Sequence, residues 1–109
     1  MSPVPPQDVQ KAAKRAVGWI EDGKAGSNFT DTGRRRARQL AGGDDVSDEV
    51  IAKMHAYFAR HSVDKDADGF RRGSEGYPSP GRVAWDAWGG DPGKRWADSQ
   101  HEKRQGSDG

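Results

Sequence analysis

"SDEVIAKMHAYFARH", residues 47–61, carries the clearest periodicity in the chain and sets its fold class. Val50, Ile51, Met54, Tyr57, Phe58 and His61 recur at helical spacing and form one stripe. Ser47 is a good N-cap, and Asp48 and Glu49 stand in the first turn, where the helix dipole favours acids. The stretch predicts an amphipathic helix whose apolar side is the centre of the core.

Two further helices are expected upstream. Val9, Ala12, Ala13, Ala16, Val17 and Ile20 share one face of a helix that begins at Pro6 and stops at Gly23. Lys11, Lys14 and Arg15 lie on its wet side. After a loop at "GKAGSN" (23–28), a cap within "TDT" (30–32) starts a second helix. That helix runs through "GRRRARQLA" to Gly42 and Gly43. Its apolar side is thin, so it needs its neighbours to stay folded.

Downstream, "SPGRVAW" from Ser79 and "DPGKRWA" from Asp91 share one grammar: a capping residue, Pro, Gly, a basic residue and soon a Trp. Proline just after a cap is a strong helix start. Two short helices hinged at "GGD" (89–91) follow, carrying Trp85, Trp88 and Trp96 inward. No strand pattern is convincing. The expectation is all-α: a small bundle of four to five short helices, with a long ordered loop between helices three and four. Residues 6–97 form the single helical domain. A flexible N-terminus (1–5) and a flexible C-terminal tail (98–109) flank it.

Composition limits the rest. In 109 residues, charged side chains make up 32% and hydrophobic ones 31%, and Leu occurs only at Leu40. Such a chain buries a small core, for which four Trp partly compensate. The net charge of +1 creates no overall field toward nucleic acid, so any basic surface must be local. The absence of Cys removes disulfides and thiolate metal sites. No apolar run approaches the roughly 20 residues of a membrane span, and no signal-peptide core is visible. A soluble intracellular protein or a particle component is expected.

"DKDADGFRRGSE" (64–75) spells the letters of an EF-hand loop, with Asp64, Asp66, Asp68 and Glu75 as calcium ligands and Gly69 at the turn. Arg71 stands where such loops carry an apolar residue, and Gly76, Pro78 and Pro80 deny an exiting helix. Only one such loop exists. The competing reading is a solvated loop with an Asp-Gly turn. A second candidate is basic: Arg34, Arg35 and Arg38 share a helix face and, with Lys11, Lys14 and Arg15, could contact phosphates. A solvated face is as good an account of them. "WGGDPGKRW" (88–96) could stack single-stranded bases, although Trp in so Leu-poor a chain reads first as core. His55 and His61 are too far apart in sequence for an H-x-x-x-H metal pair. No catalytic constellation is apparent.

The strings "MHAYFARHSVDKDADGF" (54–70) and "GYPSPGRVAWDAWGGDPGKRWA" (76–97) resemble a small domain of tailed bacteriophages, especially those of actinobacteria. That domain carries an arginine- and alanine-rich helix, then "FARH", "DK", "PS-G-AW" and "WGG-G-WA". It occurs free-standing and attached to head-morphogenesis or prohead proteins. The match covers most of residues 5–97 and is specific in its Trp/Gly pattern. The family does not reliably keep acids at the positions of Asp66 and Asp68, which lowers the calcium reading. The resemblance suggests that Phe70 and Tyr77 pin the glycine-rich loop to the Trp layer. It also implies a non-enzymatic module acting in virion assembly, or as an accessory protein, through contact with a phage or host protein. Its place would be the host cytoplasm or the virion. A nucleic-acid-binding accessory and a calcium-binding interaction module are the alternatives.

Overall fold

A computed structural model of the chain describes residues 3–27 and 29–107, with side chains up to residue 103. Five helices follow one another: α1 (Gln7–Glu21), α2 (Asp31–Ala41), α3 (Asp48–His61), α4 (Pro80–Ala87) and α5 (Gly90–Ser107). A 3₁₀ turn, Ser62–Asp66, extends α3, and no strand occurs among the described residues. None of these helices is long and apolar enough to cross a membrane.

Local chemistry accounts for the starts. The hydroxyls of Thr30, Ser47 and Ser79 accept from the backbone N–H three residues on, and Pro80 opens α4. At the close of α2, Gly43 lies against Gln10 of α1, while Phe29 ahead of α2 joins Val17 and Ile20 near the end of α1. The two helices therefore run antiparallel. α3 packs on α5, and α4 and α5 both lean on α1.

The core forms around α3. Ile51, Met54 and Phe58 are fully buried, and Val50 and Tyr57 flank them partly buried. Trp85 is buried against Phe58, edge to face at 4.8 Å between centroids. Trp88 and Trp96 are partly buried against the same cluster. Phe70 folds the long loop inward, meeting Trp85 edge-on at 5.6 Å, and Tyr77 meets Trp19 at 5.5 Å. Gly69 makes that loop possible. Its φ is +82°, and a Cβ there would stand 2.9 Å from the Gly76 carbonyl oxygen.

Two expectations need correction. The chain does not leave the fold after Ala97: α5 continues to Ser107. Asp98 explains this, since its carboxylate accepts from Lys94 one turn earlier and meets His55 of α3 at 2.8 Å. The His55 ring is stacked on that of His101 at 4.1 Å, which ties another turn of α5 to α3. The N-terminal lead-in is also engaged. Pro5 is buried, its carbonyl accepts from Gln10, and the Val46 N–H donates to the Pro3 carbonyl. Of the ends expected to be flexible, residues 1, 2, 108 and 109 lie outside the described residues.

Candidate binding cleft at the Tyr57–Trp88 stack

A column of rings crosses the bundle. The Arg36 guanidinium of α2 lies 5.3 Å from the centre of the Trp88 ring. Trp88 stacks on Tyr57 at 4.8 Å with planes 11° apart, and Tyr57 meets His61 at 4.5 Å and 31°. His61 Nδ1 is 2.9 Å from an Asp64 carboxylate oxygen, which ends the column at the 3₁₀ turn. Tyr57 and His61 are one helical turn apart on α3, which is why their rings meet. At the other end Arg36 is buried and hydrogen-bonds Gln39. Burial, and next the charge of Arg35, lowers the Arg36 pKa, although a guanidinium stays charged. Burial, then the charges of Asp64 and Asp86, pushes the Tyr57 phenol up, so it remains protonated.

A cleft of about 500 Å³ opens beside this column. Tyr57, Trp88 and Phe29 supply its aromatic lining, and His61 and Asp64 line it too. Thr30 and Gly33 enter from the start of α2, and Pro80, Gly81 and Ala84 from α4. Phe29 directly precedes the N-cap Thr30, and the Arg34 guanidinium covers its ring at 5.6 Å. That is the staple position of a helix start, filled here by a cation over a ring. The size and largely apolar lining suit a small ligand or a few side chains of a partner.

The helix α4, which lines part of the cleft, also carries a charged brace. Asp86 is fully buried and accepts from Arg15 of α1 at 2.8 Å. Its other oxygen is 3.4 Å from Arg82 Nε, close but not aligned for a hydrogen bond. Burial pushes the Asp86 carboxyl up, and the two guanidiniums pull against it. Arg82 also donates to the Phe70 carbonyl and covers the Phe70 and Tyr77 rings, so one side chain ties the long loop to α4. Asp91 does the same for the next turn, accepting from the Trp85 indole and pairing with Lys65, both at 3.0 Å.

The structure does not build the calcium site. Asp64 is turned back to His61, Asp66 faces Arg71 at 3.8 Å, and Asp68 and Glu75 are exposed. Among the described residues, no group of three or more His, Asp or Glu is placed to hold a metal. The 3₁₀ turn is the physical reason, because it aims Lys65 inward at Trp85 and Asp91 where a liganded loop would converge its carboxylates.

The basic set is divided. Arg15 is committed to Asp86 and Arg34 to Asp31 and Phe29. Lys11, Lys14, Arg35 and Arg38 are exposed, with no acidic side chain within ion-pair distance among the described residues. Trp85, Trp88 and Trp96 serve the core rather than an open stacking platform.

Sequence reasoning passed over four side chains, Arg36, Arg82, Asp86 and Phe29. Gly33, Arg36, Ala37 and Leu40 make a helical stripe once it is allowed to run through an arginine. The Arg82–Asp86 spacing of one turn signals a pair. Phe29 is legible as the residue before a cap. No family model, curated protein or solved structure matches the chain.

Proposed function

We propose that this chain is a non-enzymatic interaction module of a tailed bacteriophage, acting in virion assembly or as an accessory protein through contact with a phage or host protein. The partner docks at the cleft beside Tyr57 and Trp88. One observation carries the reading: an open, largely apolar cleft is held between α2, α3 and α4 by a braced column of rings. A rigid aromatic surface in a recess takes up a partner at low cost in lost side-chain freedom. The phage assignment rests on the resemblance of residues 54–70 and 76–97.

Gly81 allows a clean test. It lines the cleft, and a Cβ there would meet nothing nearer than the Ser79 hydroxyl at 3.8 Å. Gly81→Phe therefore fills the cleft without backbone strain. Tagged wild-type chain and Gly81→Phe are used to capture proteins from cells producing the phage, with identification by mass spectrometry. A phage structural or assembly protein retained by the wild type and lost with Gly81→Phe supports the reading. Equal capture by both, or capture of no phage or host protein, overturns it.

A second reading has its own observation, the exposed Lys11, Lys14, Arg35 and Arg38 on the antiparallel α1/α2 pair, which have no acidic side chain within ion-pair distance among the described residues. These would engage phosphates of a nucleic acid. Duplex binding that falls steeply with salt supports it, and no binding at low salt removes it.

A further inference from the structure

We propose that the loop tip at Arg71, Arg72 and Gly73 is a cleavage site for an arginine-directed endopeptidase, and that the nicked chain stays folded as a pair of fragments. This goes beyond docking and does not rest on it. Residues 71–76 are exposed without a break. The backbone bonds inside the stretch are those of turns: the Ser74 N–H donates to the Arg71 carbonyl at 3.1 Å, and the Tyr77 N–H to the Ser74 carbonyl at 3.2 Å. The Arg71 guanidinium stands 3.8 Å from Asp66, with the two side chains 78% and 88% exposed. So open a pair contributes little. An endopeptidase draws several residues of its substrate into an extended strand, and it cuts a native protein where that opening takes little free energy. Opening this tip gives up turn bonds and no buried side chain. Among the described residues, Arg71 and Arg72 are the arginines that lie outside helices. Lys24 is also exposed in a turn, but its N–H donates to the Trp19 carbonyl at 2.9 Å and its neighbour Ala25 is buried.

The base of the loop is pinned on both sides of the tip. The Ser79 N–H donates to the Gly69 carbonyl at 2.9 Å, and Arg82 donates to the Phe70 carbonyl at 3.0 Å. Phe70 is buried edge-on against Trp85, and Tyr77 meets Trp19. Both new ends would therefore leave from fixed points. In the cut after Arg72, water adds its hydroxyl to the Arg72 carbonyl carbon. The C–N bond to Gly73 breaks, and the Gly73 nitrogen leaves with the proton as an amine. The fragments 1–72 and 73–109 share one core, since α4 and α5 pack on α1 and α5 packs on α3. The pairs Arg15–Asp86 and Lys65–Asp91 also cross the cut. Tyr57 and Trp88 fall on different fragments, so the cleft outlasts the cut only while the two hold together.

The test treats the purified full chain with dilute trypsin and follows the products by intact-mass spectrometry. Trypsin accepts lysine as well as arginine, so every exposed basic residue competes. The first cut should fall after Arg72 or Arg71, before any other bond is broken. The two fragments should then elute together in gel filtration and part in urea. The double variant Arg71→Gln, Arg72→Gln should lose the early cut and keep the thermal midpoint of the wild type, because both side chains are exposed. A first cut after Lys24, within the "RRRAR" run of α2 or within α5 overturns the site. So does an early cut that the double variant retains, or a chain that loses no bond at the tip before the whole fold is degraded. Fragments that separate without denaturant overturn the folded pair.

Discussion

Tyr57 and Trp88 lie face to face, 4.8 Å between ring centres and 11° from parallel, although 30 positions separate them in the chain. The contact joins the middle of α3 to the turn between α4 and α5. That turn is tightly specified: Gly89 has a φ of +112°, and a Cβ on it would stand 2.9 Å from Gly93. The position of Trp88 thus follows from the glycines beside it.

Trp88→Ala removes the ring that Tyr57 and Arg36 rest on. A loss of about 3 kcal/mol is expected, at the low end for a Trp truncation because Trp88 is only partly buried. A urea or thermal midpoint measures it. An unchanged midpoint would show that the stack contributes nothing to the fold.

Asp86→Ala leaves Arg15 and Arg82 facing each other over a buried space. Removing one partner of a buried ion pair costs about 3–5 kcal/mol. The lower figure is expected here, because the Arg15 side chain is 36% exposed. Denaturant unfolding of the variant checks this. A loss under about 1 kcal/mol, the range of an exposed pair, would contradict the brace.

How much of this was legible beforehand depends on the residue type. The α3 stripe, the caps at Ser47 and Ser79 and the Pro80 start follow from local rules, and those elements stand where the letters place them. The extension of α5 to Ser107 does not follow, because residues 98–107 carry no apolar period. It is held by Asp98 and His101 reaching His55 on α3, a contact between distant positions that no window along the chain can see. The cleft was hidden for a related reason. Its wall needs Phe29, Tyr57 and Trp88 from three separate segments, and Arg36 had to be read as a buried cation over a ring. The loop 64–75 misled in the opposite direction, since four acids at the right spacing still need a backbone that converges them.

Asp98 makes the α3–α5 tie dependent on pH. Burial alone would raise its carboxyl, but hydrogen bonds from Lys94 and His55, and then their charges, hold it below the usual carboxylate range. A carboxyl lowered on folding contributes stability above its unfolded pKa, about 3.9, and loses it as pH falls through the folded value. Asp98→Asn should therefore be less stable than the wild type at neutral pH, and the two should converge in acid. Urea midpoints across pH measure the difference. A gap that widens as pH falls would contradict the sign.

Calcium should leave the chain unchanged. With Asp64 turned to His61 and Lys65 pointing inward, millimolar calcium is expected to move neither the Gly69 amide nor its neighbours in a ¹H–¹⁵N spectrum. A large downfield shift of Gly69 would show that the loop closes on the ion after all.

The most direct measurement of the proposed docking is a ¹H–¹⁵N spectrum of the labelled chain with and without a protein identified by the capture experiment. Docking at the cleft predicts shifts or broadening at Gly26, Gly33, Gly81 and the Trp88 indole, with Lys11, Lys14, Arg35 and Arg38 left in place. Changes confined to those four basic residues, with the cleft signals still, would contradict the account and move the binding surface to α1 and α2.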